Sequence, residues 1–166
     1  MEEKYELTNE TIMHLGVVLH RIRALWDIPK YNIKAGDLGG YIEKEDNLSH
    51  YGDAWVGDRA LVFGDARVFG NAYVGNEVQV FGNARVTGNA YISNDNDIFT
   101  VGPIGSRNGY TTFCRMKDNN IGVACGCFTG TIDDFLKKVD ETHGTNKYAK
   151  AYYAAADLAR IKINLD

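Results

Sequence analysis

Residues 52–93 read GDAWVGDRALVFGDARVFGNAYVGNEVQVFGNARVTGNAYIS, and this stretch decides the fold. Every sixth position holds a small side chain, namely Ala54, Ala60, Ala66, Ala72, Val78, Ala84 and Ala90. The row two positions later is β-branched throughout, namely Val56, Val62, Val68, Val74, Val80, Val86 and Ile92. Because residues i and i+2 point to the same side of a strand, the two rows predict one buried face.

The residues that precede the alanines predict the bends between these strands. They are Gly52, Asp58, Gly64, Gly70, Asn76, Gly82 and Gly88, all of types that tolerate positive φ. The repeating unit is therefore Gly-Asn/Asp-Ala-x-Val-x, a short strand followed by a bend. Such a strand cannot bury its apolar face alone, so successive strands must stack on one another.

A spacing of eighteen residues aligns like side chains, which favours three strands per coil and three outer faces. The outward rows are Trp55, Tyr73 and Tyr91 on one face, Phe63, Phe81 and Phe99 on the next, and Arg67 over Arg85 on the third. The predicted fold is mainly β, a short parallel β-helix of hexapeptide repeats. We expect the repeat to begin earlier, since Leu38, Ile42 and Leu48 fall on inward rows, and to fade after Ile98 and Ile104.

Both flanks of the repeat predict further elements. Apolar and polar residues alternate over residues 18–26, which favours a strand after a turn near Gly16, with an amphipathic helix from Thr8 as the alternative. Downstream, residues 110–116 and 121–128 predict a hairpin with a polar turn. These elements predict an N-terminal β element over residues 1–35, the β-helix over residues 36–105, and a C-terminal α+β cap over residues 106–166.

The end of the chain predicts two helices within this cap. Thr131-Ile-Asp-Asp134 resembles a capping box that opens a helix, and Gly144 is placed to end it. A second helix is predicted from Asn146. The cap is physically required, because an open end of stacked strands leaves unpaired edges.

Charge and composition exclude several kinds of partner. The 166-residue chain has a formal net charge of -4 and no basic block, so we expect no binding to a nucleic-acid duplex. The acidic start lacks an apolar signal region, and no later stretch is apolar for long enough to cross a bilayer. We therefore expect a cytoplasmic protein without a membrane partner, whose three cysteines are free thiols.

The repeat resembles left-handed parallel β-helix proteins, whose best-known members are acyltransferases and γ-class carbonic anhydrases. The flanking segments resemble uncharacterised hexapeptide-repeat proteins of bacteria, prophages and phages. The segments that carry this resemblance are Leu19-His-Arg-Ile-Arg-Ala-Leu25, Lys34-Ala-Gly-Asp-Leu-Gly-Gly-Tyr-Ile42, Val101-Gly-Pro-Ile-Gly-Ser-Arg107 and Cys125-Gly-Cys-Phe-Thr-Gly-Thr131. The resemblance implies left-handed coiling and, for a phage-encoded protein, residence in the host cell cytoplasm. The resemblance implies no particular activity for this chain.

Catalytic and metal-binding functions find little support in the residues. An acyltransferase of this fold needs a histidine base, and no histidine occurs between residues 51 and 142, which leaves His50 as the candidate. Cys125 and Cys127 share a strand face in this interpretation and could bind a metal with Cys114 or His143, but zinc sites usually use Cys-x-x-Cys. We predict no catalytic residue, no metal and no cofactor.

The segment 102–112 is the candidate ligand site. Its glycines free backbone N–H groups, its hydroxyls supply donors, and Arg107 supplies a bidentate fork, which together suit an anionic group such as phosphate. The predicted ligand-binding residues are Ser106, Arg107, Asn108, Tyr110, Thr111 and Thr112. The alternative is a glycine-rich crossover from the β-helix into the cap.

The expected function is a non-catalytic, homo-oligomeric binding protein of phage or prophage type that captures a small anionic, nucleotide-like ligand and so counters a host defence. Exposed aromatic rows predict a trimer, otherwise a dimer, through Phe63, Phe81, Phe99, Trp55, Tyr73 and Tyr91. One alternative is a structural or inhibitory protein that docks on a host protein or other macromolecule through an aromatic face. Another is a degenerate hexapeptide acyltransferase.

Overall fold

A computed structural model describes residues 2–165 and is mainly β, with two helices at the C-terminal end. Within these residues, the strands form sheets of five, three, four and two strands. The predicted mainly β class with a helical C-terminal part is confirmed. Met1, the first residue of the first predicted domain, and Asp166, the last residue of the last one, lie outside the described residues.

The chain begins with an antiparallel hairpin, in which β1 (Tyr5–His14) pairs with β2 (Val17–Ala24). The predicted strand after Gly16 is confirmed, and the alternative helix from Thr8 is wrong, because Thr8 lies within β1. The pairing of β2 with the next strand shifts register between Arg21 and Arg23, so burial along β2 departs from strict alternation.

Three ladders of short parallel strands follow. The first ladder is β4 (Trp55–Val56), β7 (Tyr73–Val74) and β10 (Tyr91–Ile92). The second ladder contains β3 (Leu38–Ile42), β5 (Leu61–Val62) and β8 (Gln79–Val80), and β2 extends it. The third ladder is β6 (Arg67–Val68) and β9 (Arg85–Val86). Trp55 pairs with Tyr73, and Tyr73 with Tyr91, so the predicted eighteen-residue register is confirmed.

The repeat rows occupy the interior as their spacing predicts. The alanine row and the valine row are at most 2 % exposed, so the interior is a narrow space filled by small and β-branched side chains. All seven residues of the predicted bend row, Asp58 and Asn76 included, have positive φ. Leu38 is the exception to the inward assignment. It is 46 % exposed, because it pairs with Arg23 of the hairpin before β3 joins the parallel ladder at Tyr41.

Polar side chains close the N-terminal end of the ladders. The buried Lys4 Nζ donates to the Ala54 and Gly52 carbonyls at 2.6 and 3.2 Å. The Asn47 amide donates to the carbonyls of Gly64 and Ala66. These bonds satisfy strand-edge acceptors that no further coil covers.

A four-stranded antiparallel sheet closes the other end, formed by β11 (Ile98–Ile104), β12 (Gly109–Arg115), β13 (Ile121–Cys125) and β14 (Phe128–Thr131). The predicted hairpin is confirmed as β12 and β13, although β13 ends at Cys125 and Phe128 begins a separate strand. This sheet begins at Ile98, before the boundary predicted at residue 106.

Helices α1 (Ile132–His143) and α2 (Lys147–Lys162) pack against this sheet and form a second core with it. The Thr131 side chain accepts a hydrogen bond from the Asp134 N–H, and Asn146 caps α2 in the same way, so both predicted helix starts are confirmed. Of the helices within residues 2–165, none combines the length and the apolar character needed to cross a membrane.

Candidate functional site

The predicted ligand residues around Arg107 do not converge on one site. Ser106, Arg107 and Asn108 form the exposed turn between β11 and β12. Thr111 and Thr112 are buried within β12, and consecutive strand residues point to opposite faces. Thr111 Oγ1 accordingly donates to Cys125 Sγ at 3.2 Å, whereas Thr112 Oγ1 accepts from the Arg85 N–H at 3.0 Å on the other face. Tyr110 is 40 % exposed.

The aromatic rows are less exposed than predicted. Trp55 is fully buried in the core with Tyr5 and Ile22 of the N-terminal hairpin. Phe63 is 8 % exposed, since it packs against Leu19 and Tyr41. The prediction that these two residues lie on an open face is therefore wrong, because the hairpin covers them.

Phe99 does not continue the row of Phe63 and Phe81. It lies on β11 in the antiparallel sheet, and its ring stacks on Phe113 at 5.9 Å. The chain has left the parallel ladders at this point. Phe81 and Tyr91 remain open, with 57 % and 38 % of their surface exposed.

His50 and the cysteines occupy structural positions. The His50 ring stacks on Tyr5 at 4.2 Å, and its Nδ1 accepts a hydrogen bond from the Lys4 N–H. Cys114 is buried, and burial raises the pKa of its thiol to about 12. Cys127 lies in the exposed turn after Gly126 rather than on the strand with Cys125. In the part of the chain that is described, no three His, Cys, Asp or Glu side chains cluster closely enough to hold a metal ion.

A groove of about 630 Å³ beside the first ladder combines aromatic and basic side chains, a size that suits a small molecule. We call it the tyrosine groove. Its lining residues are Pro29, Lys30, Tyr31, Asn32, Tyr73, Tyr91, Ser93, Arg115, Met116 and Lys117.

The tyrosines of the groove form a row of adjacent rings, in which Tyr31 is tilted by 40° against Tyr73 and Tyr73 stacks on Tyr91. Tyr31, which follows Pro29 in a short 3-10 helix, lies 4.9 Å from Tyr73, and Tyr73 lies 5.1 Å from Tyr91. The Tyr31 hydroxyl donates to the Asn71 carbonyl, and the Tyr73 hydroxyl donates to Asp58. Burial is the main cause that raises the pKa of Tyr31, to about 12, and the pKa of Tyr73. Both hydroxyls therefore stay protonated at neutral pH and add no negative charge.

Three basic side chains line the groove, those of Lys30, Arg115 and Lys117. Lys30 Nζ and Lys117 Nζ each lie 5.7 Å from the centroid of the Tyr31 ring, so both ammonium groups border the same ring. Within residues 2–165, neither lysine forms a salt bridge, and no carboxylate lines the groove. The Arg115 guanidinium already has protein partners, since its Nη1 lies 3.8 Å from the carboxylate of the buried Asp97 and its Nη2 donates to the Asn119 side chain. Lys30 Nζ donates one hydrogen bond to Asn89 Oδ1 at 2.9 Å, and its other N–H groups, like those of Lys117, remain available for an anion.

Sequence reasoning found only part of this groove. Tyr73 and Tyr91 were predicted to share a row, but as an oligomer interface. Lys30, Tyr31 and Lys117 were not predicted, because they lie in the loop before β3 and in the β12–β13 turn, far apart in sequence. The sequence signal for this part of the groove was the adjacency of Lys30 and Tyr31. Lys117 comes near the same ring only in the folded chain.

No protein-family model matches this chain, and no curated protein matches it significantly.

Proposed function

We propose that this protein is a non-catalytic binding protein that captures a small anionic ligand in the tyrosine groove. The observation that carries the proposal is that the ammonium groups of Lys30 and Lys117 both lie 5.7 Å from the centroid of one tyrosine ring, in a groove whose described lining residues include no carboxylate. Hydrogen bonds from an ammonium group to an anion are stronger than bonds between neutral groups, so two lysines that line one groove favour an anionic ligand.

The groove supports this assignment better than the turn around Arg107 does. Its lining residues come from the segment before β3, from the first ladder and from the end of β12. The groove therefore brings together groups from three segments, whereas Ser106, Arg107 and Asn108 share one exposed turn. The groove is also open to solvent, so that a ligand can enter it, because Tyr91 and Asn32 are exposed.

We further propose that the three ladders are the faces of a parallel β-helix with left-handed coils, as in the hexapeptide-repeat proteins of bacteria, prophages and phages that the chain resembles. The eighteen-residue register in all three ladders supports this, since the chain visits each face once per coil. In a phage-encoded protein, capture of a nucleotide-like anion in the host cytoplasm would counter a host defence.

Self-association remains part of the proposal, as a trimer or otherwise a dimer, with Phe81 as the contact. Phe81 is 57 % exposed, and water disfavours an open aromatic ring of that size. Docking on a host protein through an aromatic face has less support, because the hairpin covers Trp55 and Phe63.

The test is isothermal titration calorimetry with pyrophosphate as the probe. The double variant Lys30→Ala/Lys117→Ala is expected to bind at least about tenfold more weakly than the wild type, since charge-assisted bonds are lost. The matched control is Lys137→Ala/Lys138→Ala, which removes two exposed lysines from α1 and should bind normally.

A second comparison separates the groove from the turn. Arg107→Ala is expected to bind pyrophosphate as the wild type does. Loss of binding in Arg107→Ala but not in the Lys30/Lys117 variant would move the site to the β11–β12 turn. Absence of binding in the wild type would overturn the proposed function.

A further inference from the structure

We infer that the anion captured in the tyrosine groove carries a planar ring and belongs to the class of nucleoside phosphates, with its base stacked on Tyr91 and its phosphate bound by the lysines of the groove, Lys30 and Lys117. This inference rests on the proposed function. It adds the base, which is the part of the ligand that the lysines do not bind.

Tyr91 is the last ring of the aromatic stack. It lies on β10, the edge strand of the first ladder, and Tyr73 covers one face of its ring at 5.1 Å with an interplanar angle of 17°. Among residues 2–165, no other ring stacks on Tyr91, and the residue is 38 % exposed. The exposed part of the Tyr91 ring is therefore available to a ligand.

The segment that ends β12 bounds the space beside Tyr91. Ala90 forms an antiparallel bridge with Met116, and the Lys117 N–H donates to the Asn89 carbonyl. This pairing sets Arg115 opposite Tyr91, and both residues line the groove. A planar ring that stacks on the exposed part of Tyr91 would lie beside the Arg115 side chain.

Two polar groups near this space have no protein partner. In the described chain, the Tyr91 hydroxyl and the Asn32 carboxamide form no side-chain hydrogen bond, whereas the hydroxyls of Tyr31 and Tyr73 are both engaged. A carboxamide offers a donor and an acceptor together, which suits the polar edge of a nucleobase. A phosphate alone could accept from this amide but would not use the exposed aromatic ring.

The lysines alone would accept inorganic phosphate or a phosphosugar equally well, so the ring must be tested separately. Base–aromatic stacking strengthens binding by about tenfold or more, because every base has an apolar face that water solvates poorly. A nucleotide should then bind more tightly than ribose 5-phosphate, which carries the same phosphate and sugar without the base.

The experiment titrates the full chain with AMP, GMP, CMP, UMP and ribose 5-phosphate by calorimetry. At least one nucleotide is expected to bind about tenfold more tightly than ribose 5-phosphate. Tyr91→Leu should remove that advantage while leaving ribose 5-phosphate binding unchanged, and Tyr91→Phe should keep most of it. Tyr110→Leu, a similarly exposed tyrosine outside the groove, is the control.

The outcomes separate the two proposals. Equal binding of all four nucleotides and ribose 5-phosphate would overturn the ring inference and leave the anion site standing. A nucleotide preference that persists in a folded Tyr91→Leu would also overturn it. If neither pyrophosphate nor any nucleotide binds the wild type, the proposed function itself fails.

Discussion

The rings of Phe63 and Phe81 stack at 5.4 Å, yet Phe63 is 8 % exposed and Phe81 is 57 % exposed. The two residues follow paired strands of the second ladder and lie one eighteen-residue spacing apart, and they differ because the N-terminal hairpin covers only Phe63. Identical chemistry at the same repeat position therefore has two different consequences, burial for Phe63 and an open surface for Phe81.

The first prediction follows from that pair. Phe81→Asp should fold normally, with a change of at most about 1 kcal/mol, and should shift the protein towards monomer if Phe81 is the self-association contact. Phe63→Asp should instead lose about 4 kcal/mol or more, because a carboxylate would be buried without a partner. Light scattering and chemical denaturation of both variants measure the two effects. If the wild type is monomeric at every concentration measured, the prediction that Phe81 forms an interface is wrong.

A larger side chain in the interior of the ladders should destabilise the protein. Ala72 is fully buried in the alanine row, so Ala72→Leu forces side chains out of their rotamers and should lower the free energy of unfolding by about 1–3 kcal/mol. Arg67→Leu, which adds the same side chain at an exposed outward position, should change it by no more than about 0.5 kcal/mol. Urea denaturation compares the two. Equal stability of Ala72→Leu and the wild type would contradict the inward assignment.

Lys4 should be the most important lysine for stability. Its ammonium group donates to the carbonyls of Ala54 and Gly52 at the end of the ladders, and it is 1 % exposed. Lys4→Ala should cost about 1–3 kcal/mol, because it leaves buried acceptors unsatisfied. Lys138→Ala on the exposed face of α1 is the control and should have little effect. A Lys4→Ala protein as stable as the control would show that water replaces the ammonium group.

The protein should lose stability above pH 10. Burial raises the pKa of Tyr31 and of Tyr152 from 10.0 to about 12, and it also raises the pKa of Tyr5 and Tyr73. Between these values, the folded state holds protons that the unfolded state has released. The stabilisation is therefore complete below pH 10 and is lost as the pH rises towards 12.

This alkaline transition is measured by thermal denaturation across the same pH range, together with the ultraviolet absorbance of tyrosinate. Tyr31→Phe should make the decline shallower, because the ring stays in place without a hydroxyl to ionise. A melting temperature that does not fall above pH 10 would contradict the assigned burial of these tyrosines.

The repeat in residues 52–93 determined the parallel ladders, their eighteen-residue register and the buried alanine and valine rows. These features depend on local chemistry that repeats: the two-residue alternation of a strand and the positive φ of residues such as Asp58 and Asn76. Helix starts at Thr131 and Asn146 were predictable for the same reason, since a cap forms between residues that are close in the chain.

Only the tertiary structure decided which outward aromatic residues are exposed and which groups form the groove. Trp55 and Phe63 are buried because a hairpin from the start of the chain packs over them, and no repeat pattern encodes that contact. Lys30 and Lys117 meet at Tyr31 only after the segment before β3 and the β12–β13 turn have both packed against the first ladder. A periodic sequence specifies which face a side chain takes, whereas what covers that face depends on long-range packing of non-repeating segments.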